Sequence, residues 1–279
     1  MTLLGAAEIR ALADKLDLKP AKALGQNFVI DANVCRKIVR TAGVSSGDVA
    51  LEIGPGLGSL TLALMEEATS VIAVEIDSRL ANQLPITAAL HSDRSEILTV
   101  INQDALQLKS LPGEPTVLVA NLPYNVSVPV FLHLLEILPT LRSGVVMVQA
   151  EVADRLAAKP NTKEYGIPSV KAAWWADVTG AGSVSRSIFW PAPNVDSKLV
   201  GFKRRATPGD ETLRKEVFTI IDLAFAQRRK MLRAALSSRY GGSAAAEAHL
   251  IASGIDPTLR GESLDITGFC KIAQQGLES

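Results

Sequence analysis

Apolar residues gather in short unbroken runs at residues 49 to 54 (VALEIG), 71 to 75 (VIAVE), 97 to 101 (ILTVI), 116 to 120 (TVLVA) and 144 to 149 (GVVMVQ), separated by stretches of helical period. Runs that are apolar on both faces and alternate with helices predict a parallel sheet layered between helices. Two further runs, around 176 to 184 and 197 to 203, suggest antiparallel edge strands. After Arg205 the segment ATPGDETLRKEV supplies a Pro/Gly break and an N-cap in Thr207 or Asp210, and only helical periods follow. The expectation is therefore an α/β domain over residues 1–206 and a small all-helical domain over 207–279. GGSAAAEA at 241 to 248 reads as a short loop leading into an Ala-rich helix.

Composition narrows the class. With 279 residues, 47% of them apolar, the chain can bury a sizeable core. Two cysteines, Cys35 and Cys270, cannot frame a disulfide scaffold, and neither has a neighbour at zinc-ligand spacing, so no metal and a reducing compartment are expected. The first twenty residues carry Glu8, Asp14 and Asp17, unlike a secretory leader, and no window has the length of a membrane span. A cytoplasmic protein with no membrane partner follows.

Net charge is zero, 29 basic against 29 acidic residues, which on its face disfavours a polyanionic partner. By segment the picture changes. Residues 41 to 196 hold 9 basic and 16 acidic side chains, whereas 197 to 240 hold 11 basic and 4 acidic. This basic block includes Arg204, Arg205, Arg228, Arg229, Lys230 and Arg233. It suits either solvated helix faces with i,i+4 pairing or a surface that reads phosphates.

LEIGPGLGSLT, residues 51 to 61, is a strand running into Gly54, Gly56 and Gly58 and then a helix. Glycines there permit a sharp turn and close approach of a ligand at the carboxyl end of the first strand. A dinucleotide fingerprint would want its third glycine at Ser59; the spacing E-x-G-x-G-x-G suits S-adenosylmethionine instead. Glu75, ending the second strand, is placed to accept both ribose hydroxyls, and Asp104, after the third, the adenine amino group.

NLPY, residues 121 to 124, follows the fourth strand. An exocyclic adenine amine is a poor nucleophile because its lone pair is delocalised into the ring. The Asn121 side-chain oxygen and the Leu122 carbonyl could accept its two N–H bonds and favour a pyramidal nitrogen. Pro123 fixes the turn, and Tyr124 offers a ring for stacking. Downstream, Pro191 and Pro193 stiffen FWPAPNVDS, 189 to 197. That loop either holds the Phe189 ring beside NLPY or caps the sheet with Phe189 in the core.

Taken together, GQNFVID (25–31), EIGPGLGSLT (52–61), VEID (74–77), NQDAL (102–106), NLPYNVS (121–127), TKEYG (162–166), FWPAPNVDS (189–197) and QRRKMLRAAL (227–236) span nearly the whole chain. In this order they resemble the small-subunit (16S) ribosomal RNA adenine N6,N6-dimethyltransferase A family. The resemblance implies a Rossmann-like class I S-adenosylmethionine-dependent methyltransferase domain followed by a small helical domain. It further implies methylation of two adjacent adenosines in the 3′-terminal hairpin loop of 16S rRNA, within the small ribosomal subunit or its precursor, by a monomer. Carried over by motif, Asn27 and Val29 look like an N-terminal cover over the cofactor. Gly54 and Gly56 resemble the amino-acid end of that site, Glu75 the ribose contact, Asp104 the adenine contact and Asn121 a contact shared with the target base. Tyr124 and Phe189 resemble the two rings that hold the extruded adenine, while the basic block that includes QRRK remains, by its charge, the candidate contact to RNA. Leu24 and Val29 depart from the residues usual there, and Trp174 and Trp175 read as core or domain-junction packing. Two alternatives remain, a large-subunit (23S) rRNA methyltransferase of macrolide-resistance type and a non-catalytic ribosome assembly factor. The FWPAPNVDS and QRRKMLRAAL segments favour the small subunit over the first.

Overall fold

The computed structural model describes residues 2–18 and 27–277. Leu24, Gly25 and Gln26 lie outside the described residues, so the start of the GQNFVID motif has no structural counterpart here. The chain divides into two compact units, Met1–Ala153 with Thr179–Arg204, and Asp154–Val178 with Arg205–Ser279.

Nine strands are present among the described residues: β1 (Phe28–Val29), β2 (Val49–Ile53), β3 (Ser70–Glu75), β4 (Leu98–Asn102), β5 (Val117–Asn121), β6 (Ser143–Gln149), β7 (Ala176–Val184), β8 (Phe189–Trp190) and β9 (Ser197–Arg204). Seven form one sheet in the order β4-β3-β2-β5-β6-β9-β7. The first five pair in parallel, and β9 runs antiparallel to β6 with Ser197 opposite Gln149. Residues of β2, β3, β5 and β6 are almost all buried, as a sheet covered on both faces requires. Of the two expected edge strands, β7 lies at the edge, but β9 is interior, between β6 and β7.

Strand order reverses between β2 and β5. Chain crossovers leave that point in opposite directions, which opens a crevice at the carboxyl ends of these two strands. A separate antiparallel ribbon pairs β1 with β8, Phe28 opposite Trp190 and Val29 opposite Phe189, and Phe28 stacks on Trp190 with centroids 6.4 Å apart. Two-residue strands carry too little periodicity to be read from sequence.

The division differs from a single break at residue 206, because Asp154–Val178 groups with the C-terminal helices. Aromatic packing is the cause. Trp174 and Trp175 meet Phe218 edge-on at 6.3 and 5.4 Å, and the Tyr165 hydroxyl donates to the Leu264 carbonyl at 2.8 Å. Both tryptophans are thus core residues of the helical unit. Asp210 is the cap of helix Glu211–Ala226, its side chain accepting from the Leu213 amide. QRRKMLRAAL is not one continuous helix: residues 227 to 230 form a turn after that helix, and a short helix Leu232–Ala235 follows. The Leu232 amide donates instead to the Leu259 carbonyl, which breaks the helical ladder.

Candidate active site

The loop leaving β2 places Gly54, Gly56 and Gly58 at φ of 68°, 57° and 102°, a left-handed region costly to any residue with a Cβ. A Cβ at Gly56 would in addition crowd the Phe28 ring at 3.0 Å. Removing those side chains leaves a cavity of about 210 Å³ at the crevice. Asn27, Val29, Gly54, Gly56, Glu75, Asp104 and Asn121 all line it, so the structure brings together every residue that the motifs suggested for a cofactor. Leu122 and Pro123 line it too, whereas Tyr124 is not on its wall.

Glu75 is buried, with Oε2 accepting from the Gly56 amide at 3.1 Å and Oε1 from the Asp77 amide at 2.9 Å. Two backbone donors therefore fix the carboxyl plane, and each oxygen keeps a lone pair for a ligand hydroxyl. Burial raises its pKa, and the two amides oppose that rise. Asp104 uses Oδ1 to accept from the Leu106 amide at 2.9 Å, which leaves Oδ2 for a ligand donor. The Val29 carbonyl accepts from the Ser59 hydroxyl at 2.6 Å, which ties β1 to the start of helix Ser59–Glu67.

Several wall residues carry no role in the motifs, Glu52, Ile76 and Asn125 among them. Glu52, inside β2, is 1% exposed and accepts from the Thr61 hydroxyl at 2.6 Å; burial pushes its pKa up to about 8, so it is largely neutral at pH 7. Its signal was an acid within an apolar strand, there counted only for spacing. Ile76 lines the same cavity while 63% exposed, an apolar surface left open at its lip. Asn125 also lines it.

On the NLPY turn, Asn121 Nδ2 donates to the Asn27 carbonyl at 3.1 Å. That bond orients the amide and leaves its oxygen without a donor among the described residues. The Leu122 amide donates to the Met147 carbonyl at 3.1 Å, tying the turn to β6, while the Leu122 carbonyl accepts no bond there. Two open acceptors on consecutive residues are the pair expected for an amine carrying two protons. Tyr124 is half-buried, with its hydroxyl 2.7 Å from Ser197 Oγ. Phe189 departs from the open stacking ring that the resemblance implies. It is 3% exposed, drawn inward by the ribbon and packed in the core that includes Val29, Val184 and Leu199.

The basic residues separate into two groups. Arg204 is half-buried and donates to the carbonyls of Leu135, Leu138 and Leu141 at 2.7 to 2.9 Å, closing the C-terminal end of helix Ser127–Ile137. It is not a free phosphate contact, because those carbonyls already hold its guanidinium. In the helical unit, Arg205 faces Asp177 at 3.4 Å, Arg233 pairs with Glu247 at 3.0 Å, and Arg228 bonds both Glu262 and the Lys163 carbonyl. Arg229 and Lys230 are exposed and have no ion-pair partner among the described residues. Through that bond Arg228 holds the backbone of the exposed Lys163, a cation of the acidic stretch 41 to 196. Cys35 and Cys270 are buried free thiols. Among the described residues no cluster could hold a metal and no helix is long and apolar enough to cross a membrane.

Comparison with known proteins agrees with this geometry. Residues 18–275 match the family model described as Ribosomal RNA adenine dimethylase. The chain is 60% identical over 275 residues to a protein of Leifsonia xyli named Ribosomal RNA small subunit methyltransferase A, covering 98% of each chain. It is 57% identical to a protein of the same name from Thermobifida fusca, covering 98% of this chain and 96% of that one. Among solved structures, a dimethyladenosine transferase from Plasmodium falciparum superposes with a TM-score of 0.76 at 24% identity, covering 89% of this chain and 98% of that one. The 23S rRNA methyltransferase ErmE gives 0.66 at 26% identity, covering 89% and 99%. The fold is the Rossmann-like α/β fold of class I methyltransferases, and the chain belongs to the ribosomal RNA adenine dimethylase family.

Proposed function

We propose that this protein transfers methyl groups from S-adenosylmethionine to N6 of two adjacent adenosines in the 3′-terminal hairpin loop of 16S rRNA. It acts as a cytoplasmic monomer on the small ribosomal subunit or its precursor. The single observation that carries the chemistry is the pair of open acceptors, Asn121 Oδ1 and the Leu122 carbonyl, on two consecutive residues that line the glycine-cradled cavity.

The cavity fits the cofactor by its acceptors and its apolar walls. Glu75 offers a fixed carboxylate for vicinal hydroxyls, Asp104 an acceptor for an exocyclic amine, and Ile76 and Leu106 apolar surface for the two faces of a purine. The left-handed loop from Gly54 to Gly58 leaves backbone room for the amino-acid end. S-adenosylmethionine supplies there a methyl group already activated on a sulfonium. The protein therefore needs no strong base. Asn121 and Leu122 hold the adenine amine and orient its lone pair, and its proton leaves after transfer. The monomethylated amine that enters the second transfer has a single N–H, which one of the two acceptors holds, and that proton leaves after the second transfer.

Tyr124 stacks on the extruded base. Phe189 supports that subsite from the core, through the ribbon that holds it. Base stacking on an aromatic ring is worth roughly 1 to 3 kcal/mol, comparable to the cost of extruding a loop base. Arg229, Lys230 and Lys163 form the phosphate-reading surface of the helical unit; Arg228 holds that surface together.

Incubation with labelled cofactor and unmethylated small subunits, followed by primer extension, tests the reading. Label on the two adjacent adenosines is expected. Label on large subunits alone would replace it with the macrolide-resistance type, whose likeness to this chain is only that of a distant structural relative.

A further inference from the structure

We infer that Ser197 is a positioning residue for the target base, acting through the ring of Tyr124; the inference rests on the function proposed above. Tyr124 leaves the sheet just past the end of β5, and Ser197 opens β9, two strands away. Strands are spaced by roughly 4.8 Å, so the phenol must reach across the carboxyl end of β6 to meet Ser197. It does so with a 2.7 Å hydrogen bond between the two hydroxyls.

The two ends of this bond differ in freedom. Ser197 is 1% exposed and locked in register opposite Gln149. The residue before it is held twice, with the Asp196 carbonyl accepting from the Ala150 amide at 2.8 Å and its carboxylate meeting Arg186 Nε at 2.6 Å. Tyr124, by contrast, sits in a turn whose contacts are the Pro123 carbonyl to the Val126 amide and a long 3.4 Å bond from the Ser127 hydroxyl to the Tyr124 carbonyl. Those fix its backbone and leave the side-chain torsions open. A bond at the far edge of the ring selects one rotamer and one plane. Stacking demands a defined plane, because a base that tilts carries its amine away from Asn121 and Leu122. Neither residue lines the cofactor cavity, so the bond bears on the acceptor base alone.

The FWPAPNVDS segment thereby gains a second task. Its first residue, Phe189, is buried in the core, while its last, Ser197, meets the Tyr124 hydroxyl.

A double-mutant cycle tests this. Ser197→Ala and Tyr124→Phe should each lower kcat on unmethylated small subunits about tenfold, the factor that one lost hydrogen bond supports. The double variant should be no slower than either single one. Cofactor affinity by calorimetry and the melting temperature should stay close to those of the unaltered protein. Losses that multiply in the double variant, or an unchanged kcat with a lowered melting temperature, would overturn the inference. Should Ser197→Ala fail to fold, Tyr124→Phe decides alone, since it keeps the ring and every backbone contact of Ser197; full kcat there also overturns it. An unaltered protein that does not methylate small subunits would instead overturn the proposed function.

Discussion

At the carboxyl ends of β2, β3 and β5, polar side chains are short and backbone groups hold them. Across residues 197 to 240 they are long cations, most of them held by carboxylates or carbonyls. The first region has one geometry because a two- or three-bond side chain goes where its strand aims it. Arginines in the second can swing toward whichever acceptor folding offers, so their position in sequence does not fix their task. Glu75 and Asn121 remain available to a ligand after making their bonds. Arg228 and Arg233 are already paired with carboxylates, and the guanidinium of Arg204 is taken up by three backbone carbonyls.

The sharpest way to break this contrast is at Asn121. Asn121→Ala should lower methylation by about two orders of magnitude or more, as removal of a transition-state acceptor does, with cofactor affinity largely kept. Full turnover in single-turnover kinetics would end the role given to the NLPY turn. Next in size is Arg204→Ala, which strips the end of helix Ser127–Ile137 of its donor to three carbonyls. It should cost about 2–3 kcal/mol in denaturant unfolding and leave the salt dependence of RNA binding unchanged. A smaller effect is expected from reversing the two open cations. Arg229→Glu with Lys230→Glu should weaken small-subunit binding about tenfold near physiological salt and flatten the log–log salt plot by about two units. An unchanged slope would return these charges to a solvated turn.

The smallest test concerns Glu52. Its pKa is raised by burial from 4.5 unfolded to about 8 folded, so the unfolded chain releases its proton first. Its contribution to stability is full below pH 4.5 and is lost as pH rises toward 8. Glu52→Gln should keep the bond from Thr61 and remove that slope, raising the melting temperature by a few degrees at pH 8 and hardly at all near pH 5. Parallel melting curves across that range would place Glu52 outside this account.

The parallel strands were legible because each is buried on both faces, which leaves an uninterrupted apolar run. Gly54, Glu75, Asp104 and Asn121 were legible because each sits at a strand end or on the turn after it, where the backbone alone dictates placement. What escaped depends on contacts distant in sequence. Asp154–Val178 joins the helical unit through Trp174, Trp175 and Tyr165, whose partners Phe218 and Leu264 lie 43 residues or more further along the chain. Phe189 is buried by a ribbon of two-residue strands, too short to leave a pattern. Ser197 closed a motif as its last letter, and its bond to Tyr124 spans 73 positions.

The pairing of β1 with β8 also supplies an optical handle. The chain has three tryptophans; Trp174 and Trp175 are enclosed in the helical unit, and Trp190 alone stands on the ribbon, half-buried against Phe28. Phe28 in turn lines the cavity. With Trp174 and Trp175 changed to phenylalanine, emission from the remaining indole would report, without label and in real time, on the ribbon that joins the cavity-lining segment to the proline loop.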